Sequence, residues 1–246
     1  MIELSADLGE AASDEDRAVE RAIWSMIDAA NVACGGHAGD EASMREGVRN
    51  ASRLGVILGA HPSYPDRENF GRASMAIDPG ALRTSLVSQI GRFREIASGE
   101  GLRLQRVKAH GALYNDAHRD RALAGILVEA VRAVDPAVAI VASGKSKTAD
   151  AAREAGLPVI REAFADRRYR PDGSLVPRNE PDALLSVAEA AAQADMLVRE
   201  RIVDARGHRI TIDFDTICIH ADMQGAVARL KAIRQRLAPF VRMTSE

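Results

Sequence analysis

The chain has 246 residues with 33 Lys+Arg against 35 Asp+Glu, a formal net charge of −2. That balance speaks against a general nucleic-acid binder, which carries a basic excess. A 46% hydrophobic and 28% charged composition excludes a disordered chain, and with only 4% aromatics the core must be built from Leu, Ile, Val and Ala. Two cysteines, Cys34 and Cys218, cannot make a disulfide framework and point to a reducing, cytoplasmic setting. No signal-peptide pattern is visible, and no apolar run approaches the ~20 residues that span a bilayer.

Taken in chain order, short apolar runs alternate with helical patterns. Residues 2–6 form a strand ending at Asp7, and 28–33 a weaker one. Met44, Val48, Ala51 and Leu54 recur at helical spacing, with Gly55 as the stop. Residues 56–60 read as a buried strand. Asp78 followed by Pro79 opens a helix with the stripe Leu82, Leu86, Ile90, Phe93 and Ala97. Strands follow at 103–108, 137–142 and 157–161, with helices around 123–131 and 147–155 between them. His118 is read as standing at a helix start. Ser186 and Glu189 have capping-box spacing, predicting a helix through about Arg199. Residues 202–212 read as a hairpin around Arg206–Gly207, 215–219 as the last strand, and Val227, Leu230 and Leu237 as one face of the last helix.

Seven or so strand–helix units without a composition break predict one α/β domain over 1–246, with a parallel sheet that is closed or nearly closed into a barrel. A doubly wound open sheet is the alternative. No dinucleotide fingerprint or Walker A motif is present. Ser143-Gly144-Lys145-Ser146 lacks the upstream glycine, so it reads as a turn between strand and helix.

In such folds ligands bind at the C-terminal ends of the strands. The polar residues expected there are Asp7, Glu10, Asn31, His37, Asp40, His61, Lys108, His110, Glu162, His220 and Asp222. Each alone is compatible with an ordinary loop or core residue. Four of the six histidines at one rim point to a site. Two chemistries fit. Asp7, His37 and His61 could hold a divalent cation that activates water. A metal-free site would use carboxylates and imidazoles as acid and base, with Lys108 and Arg72 or Arg167 stabilising negative charge.

The motifs ADLGE (6–10), NVACGGHAGD (31–40), LGAHPSYPD (58–66), FGR (70–72), VKAHGALYN (107–115), EAFADRRY (162–169), DGSLVPR (172–178) and CIHAD (218–222) occur in order along nearly the whole chain. With them the sequence resembles the LamB/YcsF lactam-utilisation family. The resemblance implies a seven-stranded β/α barrel similar to glycoside hydrolases and polysaccharide deacetylases. It implies the barrel component of a 5-oxoprolinase, which opens the ring amide of 5-oxo-L-proline to give L-glutamate with ATP, and with Mg as the usual partner of ATP. 5-Oxoprolinase subunits B and C are its implied partners. The unstrained amide is a poor electrophile, which makes ATP coupling chemically sensible. On this reading Asp7, His61, Lys108 and His110 are catalytic, with Asp7 or His61 on the water and Lys108 on a carboxylate or phosphate. Glu10, Asn31, His37, Tyr64, Arg72, Tyr114, Asn115, Glu162, Arg167, Arg178, His220 and Asp222 are substrate-binding candidates. A metal-dependent amidohydrolase or deacetylase without ATP, and a non-catalytic lactam-binding protein, stand as alternatives. The chain departs from the family pattern at Ser5 (usually Asn), Gly36 (usually a bulky aromatic), Ser63 (usually Gly), Ala109 (usually Pro) and Ala221 (usually Gly), which bears on pocket shape.

Overall fold

The computed structural model describes residues 1–178 and 180–241. Strands β1 (Glu3–Leu8), β2 (Ala29–Ala33), β3 (Ile57–His61), β4 (Arg106–Lys108), β5 (Ala139–Ala142) and β6 (Val159–Phe164) follow one another round a parallel barrel. An antiparallel hairpin, β7 (Ile202–Ala205) and β8 (His208–Thr211), lies outside it, and β9 (Thr216–His220) closes the ring against β1. The barrel is therefore seven-stranded and closed; the open-sheet alternative falls.

The helices begin and end where local chemistry dictates. Asp40 caps α2 (Glu41–Leu54) by accepting from the Ser43 amide, and Gly55 ends it at φ 66°. Asp78 and Pro79 open α3 (Pro79–Gly99). Ser146 caps α6 (Lys147–Glu154), so the lysine-containing turn is a helix start. Ser186 and Glu189 form the expected capping box of α7 (Val187–Glu200).

Two helices escape the apolar pattern. In α1 (Asp14–Trp24) only Ile23 and Trp24 are buried, so no stripe marks it; its signal is the Ser13–Asp16 capping box. In α4 (Gly111–Arg119) the cap residue His110 makes no side-chain capping bond, and His118 lies in the last turn, not at a start. Strand β6 runs on to Phe164, so Glu162 lies inside it. A buried carboxylate there interrupts the apolar run that a pattern reading follows.

Side chains alternate across each strand. One set, including Leu4, Ala6, Leu8, Val32, Leu58 and Val107, joins the helix stripes in a continuous apolar cluster. A fully buried aliphatic side chain of this kind contributes roughly 1.5–3 kcal/mol. The other set faces the lumen and is polar. Arg106 makes a paired contact to both Glu3 oxygens at 2.7 Å. Above it Thr216 donates to Ser5 at 3.0 Å. Higher still Lys108 reaches Asp7. β1 and β4 are not neighbours in the ring, so the Glu3–Arg106 and Asp7–Lys108 contacts cross the lumen.

Candidate functional site

Register delivers the rim. Asp7 pairs in the sheet with Asn31 of β2 and His220 of β9, and His61 ends β3 opposite Ala33. Lys108 ends β4, and His110 stands at the mouth of α4. His37 comes from the loop after β2. Glu10 comes from the loop after β1, whose Gly9 and Glu10 amides both donate to the Glu20 carboxylate of α1, at 3.0 and 2.8 Å.

These loops bring Glu10, His37, His61 and His110 together, with one ligand atom from each inside a 4.8 Å span. Glu10 Oε1 lies 2.8 Å from His37 Nε2, 3.1 Å from His110 Nδ1 and 3.6 Å from His61 Nε2. His37 and His110 stack face to face at 3.6 Å. Asp7, which the sequence placed among the candidate ligands, lies beside this group, its Oδ2 3.3 Å from His61 Nε2.

The outer hydrogen bonds assign the inner nitrogens. His61 Nδ1 faces the Lys108 carbonyl at 2.8 Å, and His110 Nε2 faces the Phe70 carbonyl at 2.9 Å. A carbonyl only accepts, so both of those nitrogens carry hydrogen. The remaining His61 Nε2 and His110 Nδ1 then face each other at 3.1 Å with lone pairs, and the Glu10 carboxylate adds a third. Such a group requires positive charge at its centre. Three imidazoles and a carboxylate, two of the rings oriented by backbone carbonyls, are a donor set that can hold a divalent metal ion. A proton on His61 is the other solution: burial lowers its pKa, but the Asp7 carboxylate outweighs that and raises it. Burial holds His37 down to about 4. Burial also works to raise Glu10, but His110 and His37 keep it well below the usual carboxylate range.

The backbone around the cluster is tight. Phe70 adopts φ 54° and Gly111 φ 57°, and a β-carbon on Gly111 would come within 2.5 Å of the Gly71 carbonyl. This close passage aims the Phe70 carbonyl at His110.

Next to the cluster, Lys108 Nζ sits 3.0 Å from both Asp7 oxygens, 2.8 Å from Glu162 Oε1 and 3.0 Å from Cys218 Sγ. Burial would lower the ammonium pKa, but Asp7 and its neighbours raise it well above the ordinary value, so it stays charged. Asp7 is held well below its usual range despite burial, by His61 and Lys108. Glu162 is raised, because burial outweighs Lys108.

A cavity of about 380 Å³ opens above these groups, lined by Asp7, Glu10, His61, Lys108, His110, Tyr114, Phe164, Arg167, Arg178, His220 and Asp222, with Arg72 and Asn115 at its edge. Glu162 lines a smaller adjoining cavity of about 170 Å³ that shares Tyr114, Asn115 and Arg167. His220 is oriented by Asp166, which accepts from its backbone amide at 2.7 Å and from Nδ1 at 3.1 Å. Asp222 is gripped by Arg72 and by Arg178, the latter at 2.7 Å. His37 is packed beneath the cavity. Asn31 is too, donating to Asp7 Oδ1 at 2.9 Å. Tyr64 stays out of the cavity: its ring is core and its hydroxyl donates to Asp116 at 3.2 Å. Sequence reasoning passed over Asp166, Phe164 and Cys218, although all three fall inside the motifs EAFADRRY and CIHAD.

Residues 2–243 match the sequence profile of the LamB/YcsF family. The chain belongs to the LamB/YcsF family. A solved structure described as a lactam utilization protein from Thermus thermophilus is 38% identical, with a TM-score of 0.88 over 97% of this chain and 96% of that one. The LamB/YcsF barrel therefore carries its histidine cluster and its Lys108 group on a scaffold shared with that protein. Among the described residues no helix is long and apolar enough to cross a membrane.

Proposed function

We propose that this chain opens the ring amide of a lactam, with 5-oxo-L-proline giving L-glutamate as the reaction. The observation that carries this is the meeting of the Asp7–Lys108 pair with the Glu10–His61–His110 group in one cavity of small-molecule size. Hydrolysis needs a base for water and a cation near the carbonyl oxygen. Glu10, Asp7 and His61 supply the first, and Lys108 the second. Water adds to the carbonyl carbon, its proton passes to the carboxylate–imidazole group, and the C–N bond breaks as the ring nitrogen takes a proton. The family reading adds ATP: phosphoryl transfer from ATP to the amide oxygen, releasing ADP, makes the ring carbon electrophilic enough for water, the C–N bond then breaks to leave an acyl phosphate, and a second water releases phosphate and the free acid. It also adds subunits B and C as partners, and the cytoplasm as the location. Among the described residues there is no phosphate loop, and the nucleotide is not assigned to a particular subunit.

Purified chain assayed for 5-oxoproline hydrolysis and ATP turnover, with and without B and C, tests this. Activity that appears only with partners and ATP, and is lost in Lys108→Ala, is expected. Full activity in Lys108→Ala would sink the assignment.

A second reading is favoured by one observation, the lone pairs of His61 and His110 facing Glu10. It is a metal-dependent amide hydrolase that works without ATP. A divalent cation bound there supplies Lewis acidity toward water or the carbonyl. In that case Glu10, His37, His61 and His110 hold the ion while Asp7 orients His61 and Lys108 compensates the surplus negative charge. Chelator-sensitive hydrolysis without ATP would replace the first reading by this one.

A further inference from the structure

Arg167 is a buried guanidinium without a counter-charge. It is 4% exposed, and among the described residues no carboxylate lies within ion-pair distance of it. The hydrogen bond of its guanidinium runs from Nη2 to the Val176 carbonyl at 2.7 Å, and its buried Nε has no partner. The two nearest acids are already committed, Asp166 to His220 and Asp222 to Arg72 and Arg178. A buried charge left unpaired is strongly unfavourable.

The placement says what would relieve it. Arg167 lines the same cavity as Lys108, Glu10 and His61. Lys108 is already offset by the two carboxylates Asp7 and Glu162, so it can face a developing oxyanion but does not supply the counter-charge of a further carboxylate. Arg167 by contrast is held ready: Gln193 fixes its backbone carbonyl at 2.8 Å, and its Nη2 is anchored to Val176. Its free N–H groups form the planar fork that matches a carboxylate, and a preset fork loses little freedom on binding. Phe164 and Tyr114, packed edge to face at 5.9 Å, line the same cavity and give it its apolar surface. Burial, with Arg178 nearby, brings the Arg167 pKa down to about 10.

We propose that Arg167 is the anion-binding residue of this cavity and takes a carboxylate carried on the lactam ring. 5-Oxo-L-proline carries such a group, and a neutral lactam, which lacks it, binds more weakly. This rests on the lactam reading given above.

Calorimetric binding to the purified full chain tests it, with 5-oxo-L-proline, neutral 2-pyrrolidinone, glutarate and inorganic phosphate as separate ligands. The wild type is expected to bind 5-oxoproline about 30-fold or more tightly than 2-pyrrolidinone, the scale of one charge-assisted pair. Arg167→Met should lose that preference, 5-oxoproline falling to the level of 2-pyrrolidinone, and Arg167→Lys should keep part of it. Thermal melts confirm that the variants are folded, and if Arg167→Met is not, Arg167→Lys alone carries the comparison. An unchanged preference in the variants, or equal binding of both lactams by the wild type, overturns the proposal while leaving the lactam reading intact. Phosphate binding that exceeds 5-oxoproline and vanishes in Arg167→Met overturns it too, by assigning the residue to phosphate. Glutarate bound as tightly as 5-oxoproline, with both lost in Arg167→Met, upholds the carboxylate subsite and removes the lactam. Absence of binding by every ligand overturns both.

Discussion

The Lys108 ammonium bridges both oxygens of Asp7 at 3.0 Å, across the barrel lumen and at the buried floor of the cavity. Removing either partner strands a buried charge, which costs about 3–5 kcal/mol. Lys108→Met is therefore expected to lower the melting temperature by about 10 °C in a chain of this size. Because Lys108 also neutralises Glu162, Asp7→Asn combined with Lys108→Met should recover only part of the loss. A double-mutant cycle by thermal unfolding measures it, and strictly additive losses would show that the two residues do not act as a pair.

Two ligand sets compete for a cation, and they differ in one carboxylate. The geometry groups Glu10 with His37, His61 and His110, while Asp7 stands behind His61. Titration with Co(II), followed by its visible absorption and by bound-metal analysis, should give one equivalent per chain. Glu10→Gln and His110→Asn should abolish that signal, while Asp7→Asn should weaken it about 10–100-fold, as loss of an outer partner does. Abolition by Asp7→Asn with retention in Glu10→Gln would reverse the assignment.

His220 gives the site a defined pH response. Burial lowers its pKa below 6.5, against the pull of Asp166. The unfolded chain thus takes up this proton at a higher pH than the folded one. Stability from His220 is present above about 6.5 and is lost as pH falls below it. Asp166 is itself held below the carboxylate range in spite of burial, chiefly by His220, so its contribution is lost at still lower pH, in the same direction. Melting temperature should fall on acidification from pH 7 to 5, with a shallower slope in His220→Asn. Asp166→Asn should move the His220 midpoint lower still, as read by NMR. A midpoint that rises would refute this account.

Gly36 is required by its neighbours. A β-carbon there would lie 2.4 Å from both Gln89 Oε1 and Ser63 Oγ. Gln89 cannot swing away cheaply, because it accepts from the Ser63 amide and donates to the Ser63 carbonyl, each at 3.0 Å. Gly36→Ala should cost about 1–3 kcal/mol, the range of overpacking. Adding Ser63→Gly and Gln89→Ala should restore much of it. Positions 36, 63 and 89 are then coupled through packing, and unchanged stability of Gly36→Ala in denaturant would disprove the coupling.

The strands β3 and β5 were legible as short apolar runs, β1, β2 and β4 more weakly because polar lumen residues interrupt them, and α2, α3 and α7 because they announce themselves with caps. Helix α1 was not, since it buries only its last residues, yet its Glu20 anchors the loop that presents Glu10. The rim histidines could be named from strand ends alone. Their division could not: His37, His61 and His110 converge on Glu10, whereas His220 joins Asp166 on the other wall. Which carboxylate faces which imidazole depends on loop paths through Phe70 and Gly111, and one-dimensional spacing does not encode them. Tyr64 illustrates the converse, a polar-tipped residue inside a motif that serves the core.

The ionic lumen also constrains how the chain can be assembled. Glu3 and Asp7 find their cations 103 and 101 residues downstream. While the chain is being synthesised, β1 has no way to bury its acids until β4 has emerged, so early collapse of the first three strands alone is disfavoured. Fragments cut after β3 would leave that strand with uncompensated carboxylates facing inward. Closure of the ring is thereby what neutralises the acids of β1, since their cations arrive only with β4.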